Sequence, residues 1–162
     1  MKVLGIAGYS GSGKTTLIEQ MIPRLIVTGL RVSLIKHAHH DFDIDHPGKD
    51  SYRHREAGAS EVMISSDTRW ALMHELKGEP EPTLQEQLKL FAPCDLIIVE
   101  GYKREPIPKL EVHRRGYGLL HPQDANIFAV ATDEVIESRL PVVDLNDYDA
   151  IVKFLIRHLD LA

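Results

Sequence analysis

Four glycines, a lysine and two threonines crowd into the stretch GIAGYSGSGKTTL, which begins at Gly5 and continues an apolar run. Bare backbone beside one cation suits a polyanion. Glycine lets N–H groups close around oxygen atoms, and an ammonium adds a point charge. The order Gly8-Tyr9-Ser10-Gly11-Ser12-Gly13-Lys14-Thr15 fits the phosphate-loop pattern G-x-x-x-x-G-K-S/T. Such a loop cradles the phosphate chain of a nucleotide at the N-terminus of the helix that follows, with Lys14 on the β- and γ-phosphates and the Thr15 hydroxyl on Mg²⁺.

A phosphate loop also needs an acid near the metal, at the C-terminal edge of a neighbouring strand. The run CDLIIVEG offers Asp95 and Glu100. Five residues at roughly 3.3 Å each put them about 16 Å apart, at opposite ends of the strand. Glu100 is therefore the acid at the phosphate end, and Asp95 is expected at the strand start, facing solvent.

The segment KHAHHDFDIDHPGKDSYRHR, from Lys36 to Arg55, is dense in both histidine and aspartate. It leaves the C-terminal end of a predicted strand, so it is expected over the same sheet edge as the phosphate loop. Three roles compete for it. The acids Asp41, Asp43, Asp45 and Asp50 can hold Mg²⁺ through water or orient a nucleophile; Asp43 and Asp45 are taken as the candidate catalytic residues, with no ground in spacing for choosing between them. His37, His39, His40, His46 and His54 can ligate a transition metal, although the segment lacks the cysteines common in closed zinc sites. The whole can also be a hydrated loop followed by an anion-binding basic helix, Arg53 to Arg55.

For the base, IFAVATDE ends an apolar strand at Thr132-Asp133. An aspartate there can accept the paired N1–H and N2–H donors of guanine, a pair that adenine lacks, or it can simply cap a turn. The N-K-x-D guanine signature is absent.

These residues need a scaffold that brings strand ends together. Short β-branched runs alternate with helical ones, the pattern of βα units around a largely parallel sheet. KVLGIA, RVSLIK, DLIIVEG, KLEVHR, IFAVATD and PVVDL read as strands, and EVMIS with RWALMHEL as a hairpin. A helix is predicted from about Lys14 to Thr28, with Leu17, Ile18, Met21, Leu25 and Ile26 on its buried face, Pro23 bending it and Gly29 stopping it. Further helices are expected at about Ser51 to Ala57, at TLQEQLKLF and at about Asp147 to Leu159. The fold class is α/β, a P-loop NTPase-like, mostly parallel sheet flanked by helices, with an antiparallel hairpin.

Composition limits the alternatives. At 162 residues the chain is expected to form one nucleotide-binding domain, 1–162. Its 43% hydrophobic content holds no run of the roughly 18 residues a membrane span needs, and its start is too short an apolar segment for a signal peptide. A single cysteine, Cys94, excludes an internal disulfide, and a cytoplasmic location is expected. The net charge of −5 provides no general attraction to nucleic acid.

Taken together, GYSGSGKTT, LIKHAHHDFDIDHPGKDSYRHREAGA, RWALM, LIIVEGYKREPIPKLEV and AVATD closely resemble the molybdopterin-guanine dinucleotide biosynthesis protein B (MobB) family, in the same order over most of the chain. The resemblance implies a P-loop protein that binds GTP, hydrolyses it slowly, commonly forms a homodimer and assists the molybdenum cofactor guanylyltransferase that attaches GMP to molybdopterin. By position, the phosphate side is Gly8, Ser10, Gly11, Ser12, Gly13, Lys14, Thr15 and Thr16, the metal side is Thr15 and Glu100, and the guanine side is Thr132 and Asp133. The cofactors implied are GTP and Mg²⁺, and molybdopterin is a further candidate ligand. Many dimeric P-loop proteins carry an extra lysine early in the loop; here Tyr9, Ser10, Gly11 and Ser12 fill those positions. The main rival reading is an ATP-dependent small-molecule kinase with Asp43 or Asp45 as base. A third is a binding module in which the nucleotide only orders the histidine-rich segment.

Overall fold

The computed structural model describes residues 1–38 and 42–161, so the roles considered for His39, His40 and Asp41 lie outside the described residues. The chain packs as two compact units, one of residues 1–37 and 90–162, the other of residues 38–89.

The larger unit is built on a six-stranded sheet. Its strands are β1 (Lys2–Ala7), β2 (Val32–Lys36), β5 (Leu96–Glu100), β6 (Lys109–His113), β7 (Ile127–Thr132) and β8 (Val142–Asp144), in the order β2-β5-β1-β6-β7-β8. Every pairing in it is parallel, as the βα alternation predicts. Strands buried on both faces become continuous apolar runs, and β5 is one, ending in an acid. Two helices, α1 (Lys14–Val27) and α4 (Tyr148–Leu159), pack on each other. In the core they supply Leu17, Met21, Leu25, Ile151 and Leu155, which cluster with Leu4, Ile6, Leu96, Ile98, Leu110 and Val112 of the sheet. Fully burying one such side chain contributes about 1.5–3 kcal/mol, so this cluster dominates the stability of the unit.

Gly29 stops α1 as expected, with φ of 90° and its N–H on the Ile26 carbonyl. Ile26, expected on the buried face, is instead 53% exposed. The reason is rotational. Leu17, Ile18, Met21 and Leu25 define the buried stripe, and one residue beyond Leu25 the helix has turned about 100° away from the sheet. The helix runs through Pro23, which cannot donate to the preceding turn.

β6 departs from the apolar pattern. All five of its residues are buried, yet Lys109, Glu111 and His113 alternate with Leu110 and Val112. Period-two geometry puts the three polar side chains on the face opposite the α1/α4 core. Each is paired there. Lys109 Nζ donates to Asp124 at 2.7 Å, Glu111 accepts the N–H groups of Leu120 and His121, and His113 Nδ1 meets the Thr132 hydroxyl at 3.0 Å.

The smaller unit contains α2 (Asp50–Glu56), the antiparallel strands β3 (Glu61–Ser65) and β4 (Trp70–His74), and the short helix α3 (Leu84–Leu88). Thr83 and Glu86 form a reciprocal capping box that starts α3. On the hairpin, Met63 lies opposite Leu72 and Ser65 opposite Trp70, and Met63, Trp70 and Leu72 are exposed.

Candidate nucleotide site

The loop between β1 and α1 carries the candidate phosphate-binding residues, and its glycines are required by what surrounds them. Gly8 has φ of 154°, and a Cβ there would stand 2.6 Å from both Ser12 Oγ and the Val112 carbonyl. Gly11 has φ of 81° and faces the Tyr117 hydroxyl. Tyr117 in turn stacks on Tyr9, with ring centroids 5.9 Å apart. Gly13, at φ 98°, is the residue before α1 and lies against the Arg114 guanidinium. Among the described residues Ser12 Oγ is the one fully buried side-chain oxygen without a hydrogen-bond partner.

Lys14 begins α1, and its ammonium donates to the carbonyls of Gly8 (3.1 Å) and Tyr9 (2.8 Å), folding back over the loop. Burial lowers its pKa; Glu100 opposes that shift, and the charges of Lys103 and Lys36 add to it. Thr15 and Thr16, in the first helical turn, are exposed.

Glu100 ends β5 at the same sheet edge. The parallel register pairs Ile6 of β1 with Glu100, so the acid stands where β1 passes into the loop. Thr15 Oγ1 lies 3.4 Å from its Oε1, and Lys36 Nζ lies 3.9 Å from its Oε2. A hydroxyl and a carboxylate converging at a helix N-terminus are hard oxygen donors of the kind Mg²⁺ takes. Asp95, at the other end of β5, accepts the Arg31 N–H at 2.7 Å and pairs with its guanidinium.

Thr132 ends β7 and is buried, its hydroxyl on His113. Asp133 follows it. One of its oxygens accepts from Arg114 Nη1 at 3.3 Å and the other from the Arg115 N–H at 3.2 Å. Arg114 Nε also donates to the Ser12 carbonyl at 3.1 Å, so a single guanidinium joins the phosphate loop to the candidate base-side carboxylate. Sequence reasoning misses Arg114, because nothing local distinguishes it from its neighbour Arg115.

Asp43 and Asp45 belong to the smaller unit, where both pair with Arg55. Arg55 donates to Asp43 at 2.7 Å and to Glu75 at 2.8 Å, and approaches Asp45 at 3.4 Å. The Asp45 N–H and Arg55 hold the Asp43 carboxyl below its usual range. For Asp45, burial pushes the other way but is outweighed by the His46 N–H, the Ser51 hydroxyl and Arg55. Arg55 itself is held above its ordinary value, chiefly by its bonds to Glu75 and Asp43. The anion-binding role considered for Arg53 to Arg55 is therefore corrected at Arg55, whose donors are already taken by three carboxylates. The Asp43 side chain remains 44% exposed and that of Asp45 only 5%. Among the described residues no group of three or more His, Cys, Asp or Glu side chains is placed to hold a metal ion.

Residues 3–133 match the family model for molybdopterin guanine dinucleotide synthesis protein B, MobB. The chain belongs to the MobB family. It is 45% identical over 158 residues to a molybdopterin-guanine dinucleotide biosynthesis adapter protein of Haemophilus influenzae, covering 94% of this chain and 86% of the relative. The protein of the same name from Escherichia coli is 42% identical over 159 residues, covering 95% and 91%. Among solved structures, a MobB homologue from Bacillus stearothermophilus is similar over the full length of both chains, with a TM-score of 0.73 and 29% identity. The phosphate loop, Glu100, Thr132 and Asp133 all fall within the residues that match the MobB model.

Proposed function

We propose that the protein binds GTP with Mg²⁺, hydrolyses it slowly, and acts as an accessory protein in molybdenum cofactor biosynthesis, assisting the conversion of molybdopterin to its guanine dinucleotide. The observation that carries this reading is the convergence of Thr15 and Glu100 at 3.4 Å beside the glycine loop, in a chain of the MobB family. Its relatives are named as adapter proteins of that biosynthesis.

In this reading the backbone N–H groups from Gly11 to Thr16 and the start of α1 hold the phosphates, and Lys14 exchanges its two carbonyl partners for phosphate oxygens. Thr15 and Glu100 would hold Mg²⁺, whose charge offsets that of the triphosphate. Asp133 takes the guanine edge, with Thr132 behind it. Asp43, the more open of the two candidate acids, orients water, and Asp45 fixes the segment through Ser51 and Arg55. No arginine lies within the loop, which accords with slow turnover. The protein is read as a single nucleotide-binding domain, homodimeric and cytoplasmic, with a guanylyltransferase as partner and molybdopterin as a further ligand. Among the described residues no helix is long and apolar enough to cross a membrane.

Equilibrium binding of GTP, ATP and GDP with and without Mg²⁺, with hydrolysis followed in the same samples, tests this. Preference for GTP with slow turnover is expected. Preference for ATP, with rapid transfer to a small acceptor, would replace this reading with the kinase.

A further inference from the structure

The chain that leaves Glu100 turns a second lysine towards the phosphate loop. Gly101 has φ of 105°, and a Cβ there would stand 2.9 Å from the His37 carbonyl, so glycine alone lets the backbone reverse against the end of β2. The Lys103 N–H then closes on the Gly101 carbonyl at 2.9 Å. Between this turn and the loop lies a cavity of about 20 Å³, room for roughly one water, lined by Gly8, Lys14, Gly101, Tyr102 and Lys103 among others. Lys14 and Lys103 therefore border the same small space.

The charges there do not balance. Lys103 is exposed and, among the described residues, has no ion-pair partner. Glu100, the acid at this edge, is already engaged by Lys36 and Thr15. Like charges gathered beside a phosphate loop without a matching acid favour an anion between them.

Strand order says which part of a nucleotide that anion belongs to. The sheet runs β2-β5-β1-β6-β7-β8, with the loop on β1, Thr132 and Asp133 on the β7 side, and Glu100 and Lys103 on the β5 side. A nucleotide whose base lies towards β7 must extend its phosphate chain across β1 towards β5. We propose that Lys103 recognises the terminal phosphate of a nucleoside triphosphate and so separates triphosphate from diphosphate. This rests on the nucleotide reading above and adds to it a residue for the state of the nucleotide, supplied from the same chain where the loop lacks an extra lysine.

The test compares wild type, Lys103→Ala and Lys103→Arg in equilibrium titrations with β,γ-imido-GTP and with GDP, both with Mg²⁺. Lys103→Ala is expected to weaken triphosphate binding by about tenfold to a hundredfold, the range for one charge-assisted hydrogen bond, and to leave GDP within about twofold. Lys103→Arg should recover part of the loss. Equal losses with both nucleotides, or no loss with either, would overturn the assignment. Because Lys103 is exposed, the melting temperature should not move, which separates lost recognition from lost fold. If wild type binds neither nucleotide, the nucleotide reading falls and takes Lys103 with it. If wild type binds ATP as tightly as GTP, only the guanine assignment falls, and the imido-ATP and ADP pair still decides for or against Lys103.

Discussion

Arg114 donates from Nε to the carbonyl of Ser12, 102 residues earlier in the chain, at 3.1 Å, while its Nη1 holds Asp133. The two ends of that side chain have different consequences. Losing the Ser12 bond loosens the loop, which any nucleotide needs. Arg114→Ala removes both bonds, so it should weaken ATP binding by about fivefold, for the hydrogen bond to the loop, and GTP binding by at least as much, because Asp133 is also released. Asp133→Ala should instead reduce GTP binding alone and compress the GTP-to-ATP ratio. Parallel titrations with both nucleotides separate the two effects, and an unchanged ratio in Asp133→Ala would remove Asp133 from base recognition.

Lys14→Ala should abolish measurable nucleotide binding and leave the melting curve close to wild type. Among the described residues its ammonium hydrogen-bonds only to the carbonyls of Gly8 and Tyr9. Burial already depresses its pKa, so the fold loses little with it. Tight GTP binding by the folded variant would defeat the phosphate assignment.

Glu100→Gln should flatten the Mg²⁺ dependence of GTP binding more than it weakens binding in chelator, since it removes a charge 3.4 Å from Thr15 while keeping the shape. A Mg²⁺ titration that overlays wild type would place the metal elsewhere.

Stability should carry a separate acid signature from Asp124. Its carboxyl is held below the ordinary 3.8; burial opposes that shift, but Lys109 and Asn126 outweigh it. A depressed acid stabilises the fold at pH above its unfolded value, and the contribution fades as pH falls through the lower folded value. Asp124→Ala also strands the buried Lys109 ammonium and should cost about 2–4 kcal/mol at neutral pH. Urea denaturation at neutral pH and near pH 3 checks both, with the variant losing less on acidification than the parent.

Much of this is legible in the residues because the signals are local. The phosphate loop is contiguous, strand periods are short, and the length of β5 alone separates Asp95 from Glu100. Ile26 misleads because a stripe drawn from spacing does not show where the last turn leaves the sheet. Arg114 is hidden for a different reason: its contacts with Ser12 and Asp133 are made only after β1, β6 and β7 align. Lys103 likewise gains meaning from the reversal at Gly101 and the neighbouring β2. The alternation of Lys109, Glu111 and His113 is visible in KLEVHR, but a strand reading alone does not say that the polar side is sealed.

That polar side gives the sheet an uneven weave. On one face it is closed by interlocked helices and apolar contact; on the other, the partners of Lys109, Glu111 and His113 include Tyr117, Leu120, His121 and Asp124, all from one connecting segment. A strap fastened by ions and hydrogen bonds can lift without melting the hydrocarbon seam behind it. Amide hydrogens along that strap should thus exchange through a local opening that acid promotes, while those of β1 and β5 wait for the whole unit to come apart.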